Sequence, residues 1–176
     1  MTDTRPSRLH HYAFPTKDQE ATRAFYEDVI GLPLVATWSE AEPLGGSDSR
    51  SEYCHTFFEL GDGGALAFFQ FADPADQARF DPDYVPTQFR HLALNVTRQV
   101  QDAIEQRLTA RGEKPRVVNH GYCRSLYTRD PNGLFLEFTV DADNASQIAR
   151  DRAADAHETL KRWLAGDRAT NNSYRD

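Results

Sequence analysis

The sequence predicts an α+β fold: two βαβββ modules forming a cupped mixed β-sheet, followed by a C-terminal helix. Three observations predict it. The chain repeats itself, strand and helix periodicities alternate in the same order in both copies, and turn residues punctuate the copies at matching places. Setting His11 on His91 also sets Ala13 on Ala93 and Phe14 on Leu94, an offset of 80. Setting Tyr53-Cys54 on Tyr122-Cys123 sets Phe58 on Tyr127, Gly64 on Gly133 and Phe68 on Glu137, an offset of 69. The offsets differ by 11 residues, and the polar stretch 38–49 is the expected surface loop that absorbs them, since loops take insertions at little cost.

Module 1 is expected over about residues 7–72. It opens with an alternating strand over 9–14. A helix follows, capped by Asp18, with Ala21, Ala24, Phe25 and Val29 at helical spacing until Gly31 stops it. Strands over 34–38, 53–60 and 65–71 complete the module, the last two separated by the turn Gly61-Asp62-Gly63-Gly64. A Pro- and Asp-rich linker spans 73–87. Module 2, about 88–140, has a strand over 91–96 and a helix over 99–110 with Val100, Ile104 and Leu108 on one face and Gly112 after it. Its remaining strands fall at 115–119, 125–128 and 134–140, with the turn Asp130-Pro131-Asn132-Gly133 before the last. Residues 7–140 thus make one domain. Residues 141–176 add a helix over 144–165, striped by Ile148, Arg152, Ala156, Leu160, Trp163 and Leu164, and a polar tail from Gly166 that is expected to fray.

Composition excludes several function classes. At 176 residues, with 39% hydrophobic and 27% charged residues, the chain has enough apolar material for a core and reads as soluble. A net charge of −7 opposes binding to nucleic acid. No apolar run approaches the length of about 20 residues that spans a bilayer, so no membrane partner is expected. The segment Met1-Thr2-Asp3-Thr4-Arg5-Pro6 lacks the apolar stretch of a secretory signal, and two cysteines, Cys54 and Cys123, make no disulfide framework. A cytoplasmic protein is the expectation. The matching places of the two cysteines favour small core residues over a redox pair.

The duplication supplies its own control: positions polar in one copy only are candidates for chemistry. By the offset of 69, His120, Tyr127 and Glu137 stand where the first copy has Ser51, Phe58 and Phe68. Both copies keep a histidine on the opening strand, His11 and His91. Strand alternation sends Leu92, Leu94 and Val96 one way and His91, Ala93 and Asn95 the other, and it separates Leu134, Leu136 and Phe138 from Phe135, Glu137 and Thr139. If the sheets curve into one concave surface, His11, His91 and Glu137 converge there. Two imidazoles and a carboxylate make the facial triad that holds a divalent metal with open positions, most typically non-haem Fe(II). His10 competes with His11 for the inward place, and the Ala13/Ala93 match favours His11. A carboxylate among apolar neighbours needs a cation or donor beside it; a metal answers that need, and so does Arg124. Tyr127 has a core reading as well, as does Phe58. His55 and His157 carry no support beyond their residue type.

The opening "LHHYAFPTKDQEATRAFYEDVIGLPL" and the doubled βαβββ plan resemble the vicinal-oxygen-chelate superfamily. It comprises glyoxalase I, fosfomycin-resistance thiol transferases, bleomycin-binding proteins and extradiol ring-cleaving dioxygenases. The resemblance covers about residues 7–140 and implies paired modules around one metal, with His11, His91 and Glu137 at the ligand positions. The corresponding position of the first module's last strand holds Phe68, so the four-ligand set of a glyoxalase is incomplete. The segment running from Val118-Asn119-His120 through Leu126-Tyr127 and Asp130-Pro131 to Gly133 and Glu137 is similar to the signature of type I extradiol dioxygenases. That likeness implies Glu137 on Fe(II), Tyr127 hydrogen-bonded to a substrate hydroxyl, and His120 as acid/base.

The implied chemistry suits these residue types. Three protein ligands leave room on a metal for a chelating diol and O2, and an imidazole exchanges protons near neutral pH. Tyr53, Phe58, Phe68 and Tyr122 are candidates for lining an aromatic-ring pocket, with a core role the alternative for each. The leading expectation is an extradiol-type dioxygenase using Fe(II) and O2 on a small catechol-like or vicinal-diol substrate. The alternatives are a glyoxalase-like lyase or thiol transferase on Mn(II), Ni(II) or Zn(II), and a metal-free protein that sequesters an aromatic compound. The modules can be completed within one chain or by exchange between two, which leaves a homodimer open.

Overall fold

The computed structural model describes residues 6–44, 50–81 and 87–174. The chain forms two units, Met1–Arg90 with Arg129–Leu134, and His91–Thr128 with Phe135–Asp176. Each holds one βαβββ copy and its own mixed four-stranded sheet, as expected. Among the described residues, no helix is long and apolar enough to cross a membrane.

In the first unit the sheet order is β1-β4-β3-β2, from β1 (His11–Pro15), β2 (Leu34–Pro43), β3 (Arg50–Glu59) and β4 (Ala65–Phe71). β1 runs parallel to β4, while β2 and β3 form an antiparallel hairpin. Helix α1 (Gln19–Arg23) starts at Asp18, whose carboxylate accepts from the Ala21 amide at 2.9 Å. It continues as a π-helical stretch, Ala24–Ile30, that ends when the Gly31 amide donates to Tyr26 O, five residues back, at 2.9 Å. The wider winding turns Phe25, Tyr26, Val29 and Ile30 all inward. The Tyr26 ring meets Phe58 at 5.5 Å and Phe68 at 4.8 Å. Each such buried aromatic contributes about 1.5–3 kcal/mol of burial.

Two parts of the first unit depart from expectation. The stretch 38–49 was expected as loop, yet Trp38 to Pro43 continues β2 and pairs with β3 down to Pro43 against Arg50. Alternation through Trp38-Ser39-Glu40-Ala41-Glu42 suits a two-sided, half-solvated strand; the rest of that stretch, 45–49, lies outside the described residues. The linker also contains a helix, α2 (Pro74–Phe80), begun by Asp73 and a Pro in its first turn. Phe80 stacks on Phe71 at 5.0 Å, and Gln77 accepts from the Phe71 amide at 2.9 Å.

In the second unit the order is β5-β8-β7-β6, from β5 (Leu92–Asn95), β6 (Arg116–Asn119), β7 (Cys123–Arg129) and β8 (Phe135–Asp141), with β5 parallel to β8. Helix α3 (Arg98–Ala110), capped by Thr97, buries Ile104 and Leu108. Its third inward residue is Gln101 rather than Val100, which is 43% exposed. Gln101 earns burial by donating to the Phe138 and Arg124 carbonyls at 2.6 and 3.0 Å. Helix α4 (Ala145–Leu164) follows β8. Of its expected stripe only Ile148 is buried; Leu160, Trp163 and Leu164 face solvent. The tail does not simply leave the helix: Arg152 donates to the Asn171 carbonyl and Asn172 to the His120 carbonyl, at 3.3 and 3.1 Å. Both cysteines are free thiols, and burial raises the pKa of each.

Candidate active site

The second unit gathers four of the sequence-derived candidates. Alternation on β8 buries Leu136 and Phe138 in the helix-side core, so Glu137 faces the other way. Parallel pairing of Ala93 with Glu137 brings His91, two residues before Ala93, to the same face. His91 Nε2 stands 2.7 Å from Glu137 Oε2. Tyr127 on β7 donates from its hydroxyl to Glu137 Oε1 at 2.8 Å. His120 Nε2 lies 2.9 Å from the same hydroxyl oxygen. The result is a hydrogen-bonded line from His120 through Tyr127 and Glu137 to His91.

Electrostatics keep this line polarised. Burial, and then the hydrogen bond to Glu137, push the Tyr127 phenol up to about 12, so it stays a donor through the neutral range. Glu137 is 7% exposed, and a phenol and an imidazole answer its desolvation. Arg124, the other expected partner, turns instead to α3, where it faces Asp102 and Glu105 at 3.8 and 3.6 Å and donates to Gln101.

His120 sits in the turn between β6 and β7. Its amide donates to the Cys123 carbonyl at 2.8 Å, and Asn119 Oδ1 accepts from the Gly121 amide at 2.9 Å. Gly121 has φ +82°, a left-handed conformation that glycine adopts without strain. Tyr122 stacks on the His120 ring at 5.8 Å. Tyr122 is 46% exposed and borders a hollow of about 380 Å³ with Asp141, Ser146 and Ile148.

The remaining candidates lie in the first unit. The His11 and His10 Nδ1 atoms stand 2.8 Å apart, and the His11 ring meets Phe57 at 5.6 Å and His55 at 6.4 Å. His55 stacks on Phe69 at 3.6 Å, its buried Nε2 has no hydrogen-bond partner among the described residues, and burial with His11 nearby lowers its pKa. Tyr53 packs edge-on to Phe69 and borders a groove of about 480 Å³ with Glu40 and Cys54. Phe58 and Phe68 are fully buried against Tyr26, on the helix side of their sheet.

Strand register corrects the correspondence between the copies. Ala13 pairs with Ala67, and Ala93 pairs with Glu137. With Ala13 set on Ala93, the counterpart of Glu137 is Ala67, not Phe68, and the counterpart of Tyr127 is Phe57, which pairs with Ala67. The offset between the β3–β4 and β7–β8 hairpins is therefore 70, as the strand starts Ala65 and Phe135 also give. Sequence reasoning thus missed Phe57 and His55 beside His11. Parity counted from Phe57 rather than from the Tyr-Cys match would have found both.

The pair His91–Glu137 suits a divalent ion. At 2.7 Å the two are in direct hydrogen-bond contact, and an imidazole with a carboxylate is a donor set that such ions take. Among the described residues, no group of three or more His, Cys, Asp and Glu is arranged to hold a metal.

Residues 8–138 match the family model described as Glyoxalase/Bleomycin resistance protein/Dioxygenase superfamily. No curated protein matches the chain in sequence. Among solved structures, a glyoxylase/bleomycin resistance protein/dioxygenase domain from Frankia is similar, with TM-score 0.59 at 15% identity, covering 79% of this chain and 95% of its own. The fosfomycin resistance protein FosX from Listeria monocytogenes gives TM-score 0.55 at 18% identity, covering 80% and 98%. The antibiotic binding protein TnmS3 from Streptomyces gives 0.51 at 21%, covering 80% and 100%. At these identities the likeness is one of fold.

Proposed function

Because the chain belongs to the Glyoxalase/Bleomycin resistance protein/Dioxygenase superfamily, we propose that it is a divalent-metal enzyme, and within that range an extradiol-type dioxygenase. Its proposed substrates are O2 and a small catechol-like ring bearing two adjacent oxygens. The observation that supports this is the line His120–Tyr127–Glu137–His91. It sets a proton-exchanging imidazole one phenol away from a carboxylate–imidazole pair suited to a metal.

Glu137 and His91 would hold the metal. His11 is proposed as a third ligand from its match to His91 in the repeat. Fe(II), when bound, supplies redox chemistry between an electron-rich diol and O2. The chain's own residues do the rest. Tyr127 fixes the carboxylate through Oε1 and offers its oxygen to a diol hydroxyl. His120, in reach of the same oxygen, takes and returns the proton that a diol loses on binding. Tyr122, stacked on His120, limits how that imidazole can turn.

The test is anaerobic reconstitution with Fe(II), followed by oxygen-electrode assay over a panel of catechols. Oxygen uptake with ring-opened product, lost in Glu137→Ala, is the expected result. No uptake across the panel removes the dioxygenase reading. One metal per chain in the wild type and none in Glu137→Ala would still leave a metal-dependent lyase or transferase standing, whereas no bound metal in either would leave a binding protein.

A further inference from the structure

We infer that Asn172, in the C-terminal tail, is a positioning residue for His120; the inference rests on the acid/base role proposed above. The tail is led to the site by a series of local bonds. Beyond α4, Asp167 takes the Arg162 guanidinium at 2.7 Å and accepts from the Ala169 amide at 2.9 Å. The Arg168 guanidinium lies 4.0 Å above the Trp163 ring and donates to the Trp163 carbonyl. Arg152, from the middle of α4, then holds the Asn171 carbonyl at 3.3 Å. Asn172 is thereby set against the turn after β6, where its Nδ2 donates to the His120 carbonyl at 3.1 Å. Its own Oδ1 accepts from the Tyr174 amide at 3.2 Å.

The bond matters because of where the His120 carbonyl lies. It belongs to the peptide that joins His120 to Gly121, and Gly121 has the widest backbone freedom of any residue type. The His120 amide is fixed by Cys123, on the other side of the residue. Asn172 holds the carbonyl end of the 120–121 peptide, whose amide end, the Gly121 N–H, donates to Asn119 Oδ1 at 2.9 Å. Without that bond the turn carrying His120 is free to shift as a body, and Nε2 leaves its 2.9 Å contact with Tyr127. A hydrogen bond of this kind adds little to global stability, but a displacement of about 1 Å in a reacting group costs up to about a hundredfold in rate.

The experiment compares full-length wild type, Asn172→Asp and Asn172→Ala. Asparagine and aspartate have the same shape, and Asp keeps the acceptor for Tyr174, but a carboxylate has no N–H to donate to His120. Both variants are expected to keep wild-type metal content and a KM for catechol within about twofold, while kcat falls about tenfold or more. Independently of any activity, amide hydrogen exchange in the peptide containing His120 is expected to quicken in both. Unchanged exchange, or wild-type kcat in Asn172→Asp, overturns the inference. Quickened exchange in a protein that shows no catechol activity keeps the positioning contact and discards the dioxygenase reading instead.

Discussion

Tyr127 is the residue on which the candidate site turns, because its single hydroxyl touches both Glu137 and His120. Tyr127→Phe removes that oxygen and leaves the ring. The expected outcome is a kcat lower by about tenfold to a hundredfold, in the range lost with one acid–base or orienting group. Metal content, measured by elemental analysis, should stay at the wild-type level because His91 and Glu137 remain. Much of this site was legible in the sequence. His120, Tyr127 and Glu137 stood out as polar in one copy and apolar or small in the other, and the fold brings these three together with His91. The less legible part was parity. The Tyr-Cys and Gly matches set an offset of 69, one short of the sheet register, and a slip of one residue moves every side chain to the opposite face. Phe58 and Phe68, candidates for a pocket or for the core, pack in the core against Tyr26, while Phe57 and Ala67 hold the places that match Tyr127 and Glu137. Asn172 had no signal at all, since a polar tail residue is defined by the fold that returns it.

The elements show where local pattern was sufficient and where it was not. β4 runs from Ala65 to Phe71 as its apolar run predicts, and Asp18 and Gly31 bound the first helix as their chemistry predicts. The π-helical winding between them was not legible, because helical spacing of apolar residues does not distinguish four-residue from five-residue bonds. Gly31, at φ +93°, closes that winding. Gly31→Ala should cost about 1–2 kcal/mol, the strain of a Cβ in the left-handed region, read as a lower urea midpoint with an unchanged slope. In α3 the apolar pattern points to Val100 for the core, because burial of an amide cannot be seen until its partners are known. Gln101 is inward since it caps two carbonyls of neighbouring strands. Gln101→Leu keeps the volume and leaves those carbonyls without this donor. A loss of about 1–3 kcal/mol is expected, and a stable variant in urea melts would show that the two bonds contribute nothing net.

At the scale of the molecule, the unit boundary does not follow the repeat. Arg129–Leu134, which joins β7 to β8 of the second copy, folds as part of the first unit. There Tyr26 donates to Asp130 at 3.0 Å, Thr16 donates to Asn132 at 2.7 Å, and Asn132 donates to Thr22 at 3.2 Å. The first unit therefore cannot be complete without a segment flanked on both sides by strands of the second, so unfolding should appear as one transition by fluorescence and by circular dichroism. Asp130 also gives that transition a pH signature. Burial raises its pKa above the usual carboxylate value, outweighing the amide and side-chain donors that lower it. The folded protein then binds this proton more tightly than the unfolded chain does. The stability it contributes is full below the unfolded pKa of about 3.9 and is lost as pH rises through the higher folded value. Asp130→Asn has no such proton to release. The Tm of wild type minus that of Asp130→Asn should accordingly shrink as pH is raised from about 3.5 to about 6. A difference that grows over that interval would mean that the donors around Asp130 outweigh its burial and hold it ionised in the folded protein.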